Sequence, residues 1–117
     1  MATTGQIPTS ALKMQSAVTT GNGGTLMLRS NSETLNLWLQ SAGTTSGGTL
    51  SIEEAYWPDD TVAYAGTWSV IATVSASTFT GGAGVMVHYP GNFWAVRVRI
   101  SADITGGGTV TVYGWGS

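Results

Sequence analysis

The chain reads as an all-β protein: an antiparallel β-sandwich or jelly roll of seven to eight short strands, led by an extended N-terminal arm. Three observations predict this. Gly is abundant, with 17 in 117 residues, and Thr and Ser are common, a mixture that suits strands and turns and suits helices poorly. Period-two alternation of apolar and polar residues recurs from Thr25 onward, with no apolar 3.6-residue period of useful length. Gly-rich punctuation falls between the alternating runs, at 43–48, 81–84 and 106–108. A chain of this length buries roughly two-thirds of its extended surface on folding, enough for one core and one domain.

Residues 1–24 differ from the rest, with one charge, Lys13, and little alternation. Two readings stay open. Residues 11–19 form an edge strand of the domain's own sheet, or the whole segment is an arm that docks on a neighbouring protein. Pro8 removes a backbone donor and disfavours a central strand, and Ile7, Leu12, Met14 and Val18 are too widely spaced for one strand face. Gly21, Gly23 and Gly24 let the segment leave the sandwich at many angles. On the arm reading, Ile7, Leu12 and Met14 are interface residues.

The sandwich domain is expected over 25–117. In 25–29, Leu26 and Leu28 share a face; in 34–40, Leu35, Leu37 and Leu39 point inward while Asn36, Trp38 and Gln40 point outward. Leu50 and Ile52 are the inward pair of 49–53. In 68–74, Val70 is expected inward, with Ala72 and Val74. Residues 85–89 continue the alternation. Strand 94–100 is the clearest, with Val96, Val98 and Ile100 opposite Arg97 and Arg99, and 109–113 closes the set.

Composition excludes several functions. Four basic residues against six acidic give no basic footprint for nucleic acid. No apolar run approaches the roughly 20 residues that span a bilayer as a helix. The first residues lack the basic start and apolar core of a secretory signal, so synthesis in a cytosol is expected. Without cysteine there is neither a disulfide framework nor a thiolate metal site, and one histidine rules out a multi-histidine site. No cofactor or metal is expected.

Two residue groups remain as candidate sites. The carboxylates Glu53, Glu54, Asp59 and Asp60 lack a calcium-loop pattern, and neighbours on a strand point apart, so acid–base work on a glycosidic bond is disfavoured. A solvated turn, with Glu53 or Glu54 paired across strands to Arg97 or Arg99, is the simpler expectation. The aromatic group is Tyr56, Trp57, Tyr64 and Trp68, joined by His88, Tyr89, Phe93 and Trp94. Rings beside Asp59 and Asp60 are what a sandwich needs to hold a sugar; packing or a subunit interface is the plainer use. His88 has no nucleophile partner in a recognisable motif, and Gly106, Gly107 and Gly108 precede a strand, so they cannot aim a helix N-terminus at phosphate. No enzyme is expected.

The outward positions of the predicted strands are Thr, Ser and Asn more often than Lys or Glu, and only 9% of residues are charged. Such a surface suits burial against other protein. Trp38, flanked by Asn36 and Gln40, and Trp94 are the expected contacts of a homotrimer or homodimer.

From about Gly21 to the end the pattern resembles small β-sandwich virion proteins of tailed bacteriophages: head decoration (cement) proteins and related fibre domains. The resemblance rests on Thr34-Leu35-Asn36-Leu37-Trp38-Leu39, on Gly47-Gly48-Thr49-Leu50-Ser51-Ile52-Glu53, and on Gly66-Thr67-Trp68-Ser69-Val70-Ile71 after an acidic stretch. It continues through Phe93-Trp94-Ala95-Val96-Arg97-Val98-Arg99-Ile100 and Gly106-Gly107-Gly108-Thr109-Val110-Thr111-Val112. The stretch 56–66 is longer than in similar sequences. The resemblance implies a non-enzymatic structural component of the virion that binds across major capsid protein subunits and stabilises the shell. The alternative is a carbohydrate-binding module or receptor-binding tip that uses residues 56–68.

Overall fold

The computed structural model describes residues 11–58 and 61–117. Eight strands form: β1 (Leu12–Val18), β2 (Thr25–Met27), β3 (Thr34–Ala42), β4 (Gly47–Ala55), β5 (Ser69–Ser75), β6 (Gly84–Pro90), β7 (Ala95–Thr105) and β8 (Thr109–Gly116). One 3-10 turn, Ala76–Phe79, separates β5 from β6. Sheet 1 has the order β1-β8-β3-β6 and sheet 2 the order β2-β7-β4-β5, with every pairing antiparallel. The pairs β1·β8, β2·β7, β3·β6 and β4·β5 are those of a hairpin of four double strands rolled up on itself, so the sandwich is a jelly roll.

Alternation builds the core. Leu35, Leu37 and Leu39 of β3 are fully buried, and so are Val110 and Val112 of β8. Leu50, Ile52, Val96 and Val98 face them from sheet 2, also fully buried. Burying each such side chain is worth about 1.5–3 kcal/mol over leaving it in water. Phe79, carried by the 3-10 turn, and Phe93 join the same cluster.

The segment 11–18 is the edge strand of sheet 1, which decides between its two sequence readings. Lys13 pairs with Tyr113 and Gln15 with Val112, and Met14 is taken up in the bulge between them. Met14 is therefore core, 2% exposed, and not an interface residue; Leu12, at 38% exposure, lies at the open edge. Sequence spacing failed here because a bulge inserts a residue out of phase with the alternation. Ile7 lies outside the described residues.

Buried Gln15 has a specific task. Strand β2 is only three residues long, so β7 runs on past it with unpaired backbone. The Gln15 amide donates to the Val98 carbonyl at 2.7 Å and to the Gly21 carbonyl at 3.2 Å. Gly21 in turn accepts from the Ile100 amide, and Thr19 accepts from the Ile104 amide, each at 2.9 Å. The connection between β1 and β2 thus closes the exposed edge of β7, the remedy a free sheet edge requires.

Strand β5 corrects a second expectation. Ala72 opposes Ile52, but Val70 opposes Glu53, so Ile71 is the extra residue of a bulge. Past that bulge the faces swap. Val70 shares the outward row of Glu53 and is 58% exposed, while Ile71, Ala72 and Val74 pack against the core.

Candidate functional site

The two outer faces of the sandwich differ in chemistry. None of the four strands of sheet 1 contains Asp or Glu, and Lys13 and His88 are its only basic or imidazole side chains. The outward row of β3 is Asn36, Trp38 and Gln40. Met86 and His88 flank it on β6, and Tyr113 and Trp115 on β8. Gly84 lies opposite Gln40, and a methyl group on Gly84 would collide with the Trp38 benzene ring at 2.1 Å. The indole therefore lies flat over the glycine, where any larger residue would lift it. Its N–H donates to Gln40 Oε1 at 3.3 Å. The Lys13 ammonium sits 5.6 Å from the Tyr113 ring centre, within cation–π range.

Asn36 points outward, as expected, yet is only 5% exposed. Its amide donates to the Ser117 hydroxyl at 3.1 Å and to the Trp115 carbonyl at 3.4 Å. Its Oδ1 can only accept, so His88 donates from Nδ1 across 2.5 Å. This is a hydrogen-bonded structural histidine on a polar patch, as a lone histidine on a strand usually is. The outer face of sheet 1 is thus rich in aromatic side chains, its strands carry no Asp or Glu, and Asn36, Trp38 and His88 are tied into hydrogen bonds within the chain.

Sheet 2 carries the ionic residues. Glu53 on β4 is 2% exposed, although it belongs to the outward row. Arg97 Nε donates to one carboxylate oxygen at 2.7 Å; the other accepts from Arg99 Nε and Nη2 at 3.1 Å and from the Ser51 hydroxyl at 2.8 Å. Burial pushes the Glu53 carboxyl up, but the hydrogen bonds from Arg97, Ser51 and Arg99 outweigh it and hold it below its ordinary 4.5. The cross-strand pairing expected from sequence is present, in a buried triad rather than in a solvated turn. Glu54, the next residue, is half-buried on the opposite face of β4.

The loop between β4 and β5 folds back over this triad. Trp68, just before β5, stacks on the Arg97 guanidinium 4.5 Å from its ring centre. Tyr64 meets Trp68 edge-on at 5.5 Å and Trp57 at 5.7 Å. Tyr56 meets Trp94 edge-on at 5.0 Å. Trp94 donates to the Trp57 carbonyl at 2.6 Å, Trp57 to the Val62 carbonyl at 3.1 Å, and the Tyr64 hydroxyl to the Thr67 carbonyl at 2.7 Å. Five rings and one guanidinium make a continuous satellite cluster beside the main core. Tyr56 at 65% exposure and Val62 at 59% stand furthest into solvent.

Sequence reasoning thus located Tyr56, Trp57, Tyr64 and Trp68 correctly as one group. It gave Trp94 both to this group and to a subunit interface; the ring lies in the group, edge-on to Tyr56. Phe93 and Tyr89 belong to the core side and His88 to sheet 1, so those three do not join it. Asp59 and Asp60 lie outside the described residues. The part that sequence did not reveal is the tie between rings and charges, made when the loop turns back across β7. Compared with models of known protein families the chain matches none, and no curated protein matches it.

Proposed function

We propose that the protein is a non-enzymatic structural component of a tailed-phage virion, a capsid decoration protein that lies on the shell through the outer face of sheet 1. The observation that carries this reading is that face itself. It holds Trp38, Met86, Tyr113 and Trp115 on three of its four antiparallel strands, and none of the four contains Asp or Glu. The Trp38 N–H, the Asn36 amide and the His88 Nδ1 already have partners within the chain, so covering them leaves little desolvation uncompensated. Aromatic and Met side chains with few charges are the composition of the buried centre of a protein interface. The molecule is a slab of 38 × 35 × 21 Å, a shape that presents a broad face to a surface.

The resemblance of the strand pattern to virion decoration proteins points the same way. The jelly roll adds an analogy at the level of fold, since capsid and lectin domains are both built on it. Many copies bound around symmetry axes would turn a weak contact into strong retention by avidity. A homo-oligomer, dimer or trimer, around such an axis belongs to this reading.

The test begins with particles from the native source, purified through a density gradient and analysed by mass spectrometry. The protein is expected in the particle band, at a stoichiometry fixed by the capsid lattice. Its recovery solely in the soluble fraction would contradict the proposal.

A further inference from the structure

We infer that β6 is a self-association edge: it pairs antiparallel with β6 of a second copy about a two-fold axis at Met86, joining two copies of sheet 1 into one continuous sheet. The pairing goes beyond the decoration role and stands whether or not the protein binds a shell.

The four edge strands differ in how they are protected. A free edge offers unpaired N–H and C=O groups to any other chain, and proteins blunt it with bulges, charges or short strands. Strand β1 is broken by two register shifts and carries Lys13. Strand β2 stops after three residues, and the connection before it closes the rest of β7. Strand β5 is broken by the bulge at Ile71. Strand β6 has none of these devices. Its seven residues pair with β3 without a shift, and none is Lys, Arg, Asp or Glu.

The hydrogen-bond phase shows which backbone groups are open. The Ala83 carbonyl accepts from the Ser41 N–H at 3.1 Å, and the Gly91 N–H donates to the Glu33 carbonyl at 2.8 Å. In the unbroken register between them, Val85, Val87 and Tyr89 therefore turn their backbone groups to β3, while Gly84, Met86, His88 and Pro90 turn theirs to the open edge. Those open groups have no backbone partner among the described residues. Pro90, without an N–H, ends the row.

This row is its own complement. With Met86 on the two-fold axis, every N–H and C=O of Gly84, Met86 and His88 meets a partner from the second copy. A register that sets Gly84 against Pro90 would leave the Gly84 carbonyl without a donor. The Met86-centred register also sets Val85 beside Val87 of the second copy. Both are half-buried and already flank the core, so pairing covers their remaining apolar surface, and no charge is brought against its like. A strand of seven residues is about 23 Å long, and the slab is 21 Å deep. Edge-to-edge contact thus covers at most about 1,000 Å² over both copies, the lower limit of a specific interface, so the dimer is weak and reversible.

The experiment follows the full chain, without particles, by sedimentation velocity and by backbone amide exchange in NMR, from about 10 μM to about 1 mM. A reversible monomer–dimer equilibrium is expected within this range. As concentration rises, the Gly84, Met86 and His88 amides should gain protection, while Val85, Val87 and Tyr89 are protected throughout. Met86→Pro removes the N–H that each copy donates across the axis and should weaken association about tenfold or more. Proline is tolerated there because that N–H does not bond β3. Met86→Leu should leave association unchanged. A chain that stays monomeric at the highest concentration overturns the inference. So does a dimer that Met86→Pro leaves intact, or one in which the three edge amides exchange as in the monomer; either assigns association to another surface. Protection of those amides in the monomer assigns the edge to another segment of the same chain and equally overturns it. No particle takes part, so these outcomes are separate from the test of decoration.

Discussion

Sheets 1 and 2 solve the same problem in opposite ways. Each must do something with the outward residue of every pair along its strands. Sheet 1 fills those positions with uncharged and aromatic side chains and lays one of them, Trp38, over Gly84. Sheet 2 places Glu53, Arg97 and Arg99 there, wires them together, and then folds a loop of rings across part of them. The first face has no Asp or Glu on its strands and is suited to being covered. The second owes its order to charge and to a loop, and keeps an exposed cation at its margin. Alternation by itself says only which residues are outward; the partner across the strand decides what an outward residue becomes.

The largest expected effect concerns whether sheet 1 owns its edge. Met14→Ala should cost about 2–5 kcal/mol in urea unfolding, the usual range for emptying a buried Met site. A cost near zero would return β1 to the status of a detachable arm. Next comes the triad on sheet 2. Glu53→Ala strands two guanidiniums that reach solvent, so the loss should be about 1–3 kcal/mol, whereas Lys13→Ala on sheet 1 should stay within about 0.5 kcal/mol. Similar losses at both positions would erase the contrast between the faces.

The contrast also has a pH signature. The folded Glu53 carboxyl titrates below its ordinary 4.5. As pH falls below 4.5 the unfolded chain takes up this proton while the folded protein does not. The stabilisation is therefore complete above pH 4.5 and is lost as pH falls through the lowered value. In Glu53→Gln, unfolding free energy should depend less on pH below 4.5 than in the parent. Substitutions on sheet 1 should leave that dependence unchanged. Gly84→Ala is expected to cost about 1–3 kcal/mol from overpacking, and to shift the Trp38 fluorescence as the indole is lifted into water.

Much of this was legible in the sequence, for a physical reason. Leu35, Leu37 and Leu39, or Val96, Val98 and Ile100, keep strict period two over a stretch without a bulge, so their burial follows from pattern alone. Val70 and Met14 defeated the pattern because each neighbours a bulge, where one extra residue reverses every face beyond it. Asn36 was legible as outward but not as buried, because its cover comes from His88 and Ser117, distant along the chain. The Tyr56–Trp68 cluster was visible as composition. Its attachment to Arg97 depends on how the long loop turns back, and no local signal encodes that path.

The central claim is that the protein docks through sheet 1, and particle binding by paired variants tests it most directly. Met86→Glu puts a carboxylate beside Trp38 on the face that has none, at a position 38% exposed and therefore tolerant of the change. Tyr56→Ala trims the exposed ring of the cluster that follows β4 in sheet 2. Each variant is mixed with particles stripped of the native protein and sedimented. The account predicts that Met86→Glu remains in the supernatant while Tyr56→Ala sediments like the parent; sedimentation of Met86→Glu at parental levels would contradict it.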